Sequence, residues 1–270
     1  MSDNKYVGLI KDRLTKDVDD FKAKFTFSLN GGNSTRYLII DDFLPESEAL
    51  EISRVFPDQN EMREMKSFRE HKYTSKNFSS FDSRLLEVSM AFQDRVVIDL
   101  IEKITGIQNQ FSDPSFYAGG LSSMSKGHFL DPHIDNSHEA TRQAYRRLNL
   151  LYYVTPDWED QYGGHLELWD EEAKKPLVIH SYFNRLVLME THALSWHSVC
   201  KVKVDQARNC VSNYYFSKES PTGEDYFHIT KFSARPEDKA KRMLYCIDGF
   251  SRTLLRKIFK QGLGKSDLAK

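Results

Sequence analysis

Cysteine is scarce in this sequence, and long hydrophobic runs are absent. The 270 residues include three cysteines, Cys200, Cys210 and Cys246, and no CxxC pair. An odd number of widely spaced cysteines argues against a disulfide framework and favours a reducing, cytoplasmic compartment. No apolar segment approaches the roughly 20 residues that a membrane helix needs, and the N-terminus lacks the apolar core of a secretory signal. We therefore expect no membrane partner.

An excess of one charge is also missing. The chain has 38 basic and 39 acidic residues and a formal net charge of -1. Because proteins that bind nucleic acids electrostatically carry a positive excess, this balance predicts no nucleic-acid partner. The length suits a single domain with one large core.

We predict three parts within one domain spanning residues 1–270. Residues 1–115 would form a helical support, because apolar residues recur at helical spacing in Val7–Phe21 and Asp82–Ile104. Tyr37–Ile40 reads as a short strand, and a helix follows Pro45. Gln59–Ser80 is polar and without periodicity, which predicts an extended loop. Residues 218–270 would form an extension that ends in an amphipathic helix around 239–260.

Short strands separated by turns dominate residues 116–217. Their alternation and spacing predict about eight antiparallel strands in a jelly-roll (double-stranded β-helix) core, and hence an α+β fold with flanking helices. The expected strands are Tyr117–Ser122, His128–His133, Leu148–Val154, His165–Trp169, Leu177–His180, Arg185–Glu190, Ser195–Val202 and Cys210–Phe216.

Within this core, the tripeptide His133-Ile134-Asp135 has the pattern of a metal site. Successive strand residues point to opposite faces, so His133 and Asp135 would project together. A third ligand is expected from another strand, and His197 is favoured over His192, because His192 lies in a segment that reads as a turn. Two imidazoles and one carboxylate suit Fe(II), although the same ligands also bind zinc.

Several separated motifs in one order resemble the prolyl 4-hydroxylase-like branch of the Fe(II)/2-oxoglutarate-dependent oxygenases. They are HIDN, LLYYVTPDW, GGHLELWD, NRLVLMET, SWHSV and R-x-x-x-S-x-Y-Y-F, within Tyr37–Ser217. The resemblance implies a dioxygenase that hydroxylates an unactivated C–H bond with Fe(II), O2 and 2-oxoglutarate, and releases succinate and CO2. Ascorbate is expected as a reductant. His133, Asp135 and His197 match the metal ligands of the family.

The same resemblance assigns residues to 2-oxoglutarate. Arg208 matches the basic residue that binds the distal carboxylate, a task that suits a planar guanidinium with two parallel donors. Tyr153 matches a tyrosine that hydrogen-bonds the same carboxylate, and Ser212 matches a hydroxyl position. Asn149 would lie on the same strand face as Tyr153. Arg146 aligns with an arginine near the substrate entrance, beside Arg147.

The resemblance leaves several substrates open. A small molecule (an amino acid, a sugar or a natural-product intermediate) and a peptidyl proline are both consistent with it. Two alternatives differ in class: a nucleic-acid or histone demethylase on the same core, and a jelly-roll binding protein without catalysis. Balanced charge and the lack of a second arginine after Arg208 disfavour the first. The complete ligand set disfavours the second.

Overall fold

A computed structural model of the protein describes residues 4–26, 28–31, 33–116 and 119–245. Five of the described helices lie in the N-terminal part: α1 (Lys5–Lys16), α2 (Val18–Thr26), α3 (Glu46–Arg54), α4 (Ser83–Ala91) and α5 (Arg95–Thr105). Each of the two long helices predicted from the sequence is therefore two shorter helices. Asp94 separates α4 from α5, because its side chain accepts a hydrogen bond from the Val96 amide and so begins a new helix. Helix α5 ends at Gly106, whose φ of 71° favours glycine.

Within the described ranges, thirteen strands form one curled antiparallel sheet. They are β1 (Tyr37–Ile40), β2 (Arg63–Lys66), β3 (Glu70–Thr74), β4 (Phe111–Ser112), β5 (Gly120–Met124), β6 (Phe129–Ile134), β7 (Tyr145–Tyr153), β8 (Leu166–Trp169), β9 (Pro176–Ile179), β10 (Arg185–Glu190), β11 (His197–Val199), β12 (Arg208–Ser217) and β13 (Lys231–Phe232). Their order is β1-β10-β7-β12-β5-β3-β6-β11-β8-β9, with β13 on β6, β2 on β3 and β4 on β12. Each of the eight predicted strands overlaps an observed one, and the jelly-roll prediction is confirmed.

The main core lies between the helices and the convex face of the sheet. On β7, Leu148, Leu150 and Tyr152 are buried against the helices, together with residues such as Ile10 of α1 and Ile101 of α5. Burying each such side chain contributes about 1.5–3 kcal/mol. The intervening residues of β7 therefore face the interior of the curled sheet, as strand alternation requires.

Two regions that were predicted to be irregular contain strands. The loop predicted over Gln59–Ser80 is wrong, because β2 and β3 form a hairpin there. Strand β3 pairs with both β5 and β6 and so connects the two halves of the sheet. After Ser217, β13 pairs with the last two residues of β6, His133 and Ile134. These additions are polar, so their pairing depends on backbone hydrogen bonds more than on apolar burial.

The remaining predictions on organisation are only partly covered by the described residues. Residues 239–245 are helical, and the rest of the predicted C-terminal helix lies outside the described residues. Cys200 and Cys210 are free thiols, and Cys246 also lies outside. Across the described ranges, no helix is long and apolar enough to cross a bilayer. The single-domain division stays a prediction.

Candidate active site

His133 and His197 lie side by side on adjacent strands. They are direct partners in the register of β6 and β11, so their side chains share one face of the sheet. Their ring centroids are 4.1 Å apart, and both residues are buried. Two histidines that the sequence separates by more than sixty positions are thus brought together by strand pairing alone.

Asp135 completes a triangle with these two rings. It follows the last residue of β6, and its Oδ1 lies 3.7 Å from His133 Nε2 while its Oδ2 lies 3.7 Å from His197 Nε2. The three ligand atoms all lie within 4.8 Å of one another, and the described part of the chain contains no other such group of His, Cys, Asp or Glu. Because bonds from these donors to a transition metal are about 2 Å long, one ion is within reach of all three.

Hydrogen bonds to the backbone fix both histidines for metal binding. His133 Nδ1 lies 3.0 Å from the Asp131 carbonyl oxygen, and His197 Nδ1 lies 2.9 Å from that of Ser195. Each Nδ1 therefore donates its proton, which leaves Nε2 as the free acceptor. Burial, helped by the charge of His197, lowers the pKa of His133 to about 3, and burial also lowers the pKa of His197. Both rings are accordingly neutral, the form that binds a metal.

Asp135 is held by Arg146. The Nη1 atom of Arg146 lies 3.0 Å from Asp135 Oδ2, and its Nη2 donates to Asn136 Oδ1 at 2.8 Å. The guanidinium also covers the Tyr214 ring at 4.2 Å. Burial alone would raise the pKa of Asp135, but the charges of Arg146 and the two histidines together lower it below its usual value. The carboxylate is thus ionised and oriented. Arg146 lines the cavity, and its role toward a substrate stays a prediction.

The triad opens into a cavity of about 470 Å³. Part of the lining, which we call the inner end, is buried and mostly apolar and carries one cation: Met124, Tyr153, Leu166, Val199 and Arg208. Another part, which we call the outer end, is partly exposed and mixed in charge: Arg69, Glu70, Lys72 and Phe232. The triad lines the same cavity.

Arg208 is a buried cation without a carboxylate partner among the described residues. Its Nη2 lies 3.1 Å from the sulfur of Met124, and its Nε has no hydrogen-bond partner in the described chain. Its guanidinium lies 5.2 Å from the centre of the Tyr153 ring. A buried unpaired charge is costly, so this arrangement calls for an anion. Gly164 makes room for the arginine stem, since a Cβ there would lie 3.2 Å from Arg208 Cδ.

The other predicted cosubstrate residues also line the cavity, but they have partners within the chain. The Tyr153 hydroxyl bonds with Ser181, and burial raises its pKa. Ser212 Oγ donates to the Gly120 carbonyl oxygen at 3.1 Å. Asn149 Nδ2 donates to the Tyr214 hydroxyl at 3.1 Å. Of these three residues, Tyr153 is the one whose ring lies beside the Arg208 guanidinium, while Asn149 and Ser212 line the cavity elsewhere.

His192, the rival ligand, is not part of the group of ligand atoms that the triad forms. Its Nδ1 accepts a hydrogen bond from the Leu194 amide in the turn before β11. Sequence reasoning missed the outer-end residues of the hairpin and of β13. Phe232 is opposite His133 in the register and stacks on it at 5.5 Å. Glu70, Lys72 and Thr74 face the cavity at alternate positions, which is the pattern of a strand. The sequence hides this pattern, because His71 and Tyr73 between them also carry polar groups.

Comparison with known proteins relates this site to one superfamily. Residues 119–216 match the family model described as "2OG-Fe(II) oxygenase superfamily". Mouse prolyl 3-hydroxylase OGFOD1 is 27% identical over 88 residues, which cover 30% of this chain and 16% of that protein. The match thus spans about one sixth of the relative's length.

Solved structures share the fold at low sequence identity. A prolyl hydroxylase from Trichoplax adhaerens, solved with a peptide fragment of the hypoxia-inducible factor oxygen degradation domain, is 20% identical with a TM-score of 0.54 and covers 76% of this chain and 92% of its own. A prolyl 4-hydroxylase from Phytophthora capsici is 17% identical with a TM-score of 0.53 and covers 97% of this chain and 81% of its own. These likenesses concern the architecture.

Proposed function

Because residues 119–216 match the 2OG-Fe(II) oxygenase superfamily and the chain shares its fold with prolyl hydroxylases, we propose that it hydroxylates an unactivated C–H bond of a small molecule or a peptidyl proline. It is a dioxygenase that uses Fe(II), 2-oxoglutarate and O2. The observation that carries the proposal is the geometry of one cavity, in which three metal-binding side chains and a buried unpaired guanidinium face the same space.

Each of these residues has a role in the proposal. His133, Asp135 and His197 hold the metal through two Nε2 atoms and one carboxylate oxygen, a donor set that suits Fe(II). Arg208 binds the distal carboxylate of 2-oxoglutarate through paired N–H donors, and Tyr153 adds a hydrogen bond. The fit is supported by the buried Arg208 Nε, which lacks a partner within the described chain.

With iron bound, the site would supply the oxidation itself: one atom of O2 enters succinate as 2-oxoglutarate loses CO2, and the other enters the product as a hydroxyl group. The protein's own part is placement. Apolar residues of the inner end, such as Leu166 and Val199, exclude water around the cosubstrate. Arg146 keeps Asp135 oriented, and ascorbate would serve as an external reductant that returns the iron to the ferrous state.

Succinate production tests this function. Protein reconstituted with Fe(II), 2-oxoglutarate and O2 is expected to form succinate slowly alone and faster with a substrate, which gains one oxygen atom in mass. Proline-containing peptides and free small molecules form the two substrate arms. His192→Ala is the matched control, since that histidine lies outside the triad, and it should retain turnover where His197→Ala loses it. Equal succinate formation by the two variants would contradict the proposed triad.

A further inference from the structure

The stem of Arg208 rests on a glycine of the motif GGHLELWD. Gly164 has a φ of 68°, in the left-handed region that favours glycine. A Cβ there would lie 3.0 Å from Val202 Cγ2 and 3.3 Å from Trp158 Cζ2, besides meeting the arginine stem. Because the glycine backbone fills this space so closely, a shift of Gly164 would displace the Arg208 side chain as well.

His165, the next residue of the motif, is held through both ring nitrogens. Its Nδ1 lies 3.2 Å from the amide nitrogen of Ser181, and its Nε2 lies 2.9 Å from the carbonyl oxygen of Asp160. Since a backbone amide only donates and a carbonyl only accepts, Nδ1 is the acceptor and Nε2 carries the proton. Burial lowers the pKa of His165, which keeps the ring in this neutral form.

Ser181 connects the His165 ring to two neighbours of Arg208. It is fully buried, and its Oγ donates to the Gly164 carbonyl oxygen at 3.0 Å. The same side chain is the partner of the Tyr153 hydroxyl, whose ring lies beside the guanidinium. The bond from the Ser181 amide to His165 fixes the position from which Ser181 makes these contacts. We call Gly164, His165 and Ser181 the clamp.

Backbone hydrogen bonds join the clamp to the strand that carries a metal ligand. The Gly164 amide donates to the Cys200 carbonyl oxygen, and the Cys200 amide donates to the His165 carbonyl oxygen, both at 3.1 Å. Cys200 directly follows β11, which begins at His197 and pairs with β8. The clamp therefore extends the pairing of these two strands and has a fixed position relative to His197.

We propose that His165 is a positioning residue for 2-oxoglutarate: through Ser181 and Gly164 it aligns the Arg208 guanidinium with the distal carboxylate. The proposal rests on the proposed function and deepens its cosubstrate site. His165 is not among the residues that line the cavity, so it acts through the clamp. Alignment matters because two parallel hydrogen bonds to a carboxylate require one orientation of the guanidinium plane, and holding that plane in advance reduces the cost of binding.

Two amide side chains distinguish the roles of the two ring nitrogens. The short side chain of His165→Asn reaches the position of Nδ1 and can accept from the Ser181 amide. The longer side chain of His165→Gln reaches the position of Nε2 and keeps only the contact with Asp160. In calorimetric titrations of the Mn(II)-loaded protein, 2-oxoglutarate should bind His165→Asn with native affinity. It should bind His165→Gln about tenfold more weakly, as for loss of one charge-assisted hydrogen bond.

A cosubstrate analogue separates positioning of Arg208 from general loosening of the site. 2-Oxopentanoate has the same keto acid group but a methyl group in place of the distal carboxylate. Its affinity, measured by Mn(II) relaxation of its methyl protons, should be the same in the native protein and in His165→Gln. Equal weakening of both ligands, or native 2-oxoglutarate affinity in His165→Gln, would overturn the proposal.

Two further variants complete the test. Ser181→Ala keeps the backbone amide and removes the hydroxyl that holds Gly164, so it should weaken 2-oxoglutarate and leave 2-oxopentanoate unchanged. His180→Gln is the matched control: the His180 ring lies 4.6 Å from that of His165, but its Nδ1 faces the Asp160 carboxylate at 3.1 Å. Native affinity for 2-oxoglutarate is expected in this control, and thermal unfolding shows that each variant is folded.

The same proteins separate this proposal from the function on which it rests. If the native protein binds Mn(II) but not 2-oxoglutarate, the proposed function fails. The nuclear magnetic resonance signal of the Arg208 Nε–H, which needs no ligand, then still tests the clamp. It should shift in His165→Gln and stay at its native position in His165→Asn, and an unchanged signal in both variants would overturn the role of His165.

Discussion

The inner and outer ends of the cavity are built in different ways. The inner end comes from central strands of the sheet, and its one charge, on Arg208, is buried without an acid partner among the described residues. The outer end comes from a hairpin and a short C-terminal strand, and its charges are already paired, as in Glu70 and Lys72. An unpaired buried cation suits one invariant anionic ligand, whereas charges that are paired and partly exposed can exchange their partners for different ligands. This difference matches a constant cosubstrate at one end and a variable substrate at the other.

The largest effect is expected when the carboxylate of the triad is removed. Asp135→Ala should reduce metal affinity by at least about 100-fold and abolish succinate formation, because it deletes one ligand and removes the carboxylate that Arg146 contacts. Calorimetric titration with Mn(II) measures the affinity, and thermal unfolding shows whether the variant is folded. Retained affinity in a folded protein would separate Asp135 from the metal site.

Removal of the Arg208 charge from the inner end should weaken only the binding of 2-oxoglutarate. Arg208→Ala is expected to weaken 2-oxoglutarate binding about 100-fold, the loss of two charge-assisted hydrogen bonds of about 1.5 kcal/mol each. Mn(II) affinity should stay unchanged. Arg208→Lys keeps the positive charge but loses the paired donors of the guanidinium. Its affinity for 2-oxoglutarate should therefore lie between those of the native protein and Arg208→Ala. If 2-oxoglutarate binds Arg208→Ala as tightly as the native protein, the inner end is not its site.

Substitution of Arg146 tests whether the residue that contacts Asp135 supports metal binding. Arg146→Gln should weaken Mn(II) binding about tenfold, since outer-shell partners of metal ligands have effects of this size. Arg147→Gln is the matched control, because Arg147 donates to the Glu219 carbonyl oxygen away from the triad. Metal titrations of both variants decide the point. An effect confined to substrate turnover would instead place Arg146 with the substrate.

The smallest effect concerns the Tyr153 hydroxyl. Tyr153→Phe should weaken 2-oxoglutarate binding about fivefold, the value of one hydrogen bond of about 1 kcal/mol. The ring, which packs among buried residues of the inner end, is retained. Unchanged 2-oxoglutarate affinity would mean that the hydroxyl serves Ser181 alone, and the inner end would then depend on Arg208 for its polarity.

The sequence predicted the inner end well because its residues obey strand periodicity. Leu148, Leu150 and Tyr152 alternate with Asn149, Leu151 and Tyr153, and these two sets do face the helices and the cavity. Pairing of His133 with His197 follows from the same regularity once the strands are placed.

A break in that regularity explains why Arg146 and Arg147 could not be distinguished. Counting back from Asn149 by strict alternation would turn Arg147 toward the cavity. The register of β7 and β12 shifts between Leu148 and Arg146, which adds an unpaired residue and turns Arg146 inward instead. Such a bulge depends on the partner strand and leaves no mark in the local sequence.

The outer end was missed for a related reason. Residues 63–74 carry no apolar periodicity, because one face of the hairpin meets a polar cavity and the other meets His128. Their strand conformation comes from the open edges of β5 and β6, which are distant in sequence. Patterns within a segment do not report the pairing that a distant edge imposes.

The short strand Lys231–Phe232 means that the catalytic chamber is larger than the family match. That match ends at residue 216, yet Thr230 and Phe232 form part of the chamber's lining, and Phe232 covers one imidazole ligand. Further along the chain, Arg235 donates a hydrogen bond to Glu167 of β8, the strand that pairs with β11. Lys241 Nζ lies 2.7 Å from Asp131 Oδ2. A chain trimmed to residues 119–216 would keep His133, Asp135 and His197 but lose the ring that covers His133, so we expect the segment 230–241 to be needed for a closed cavity.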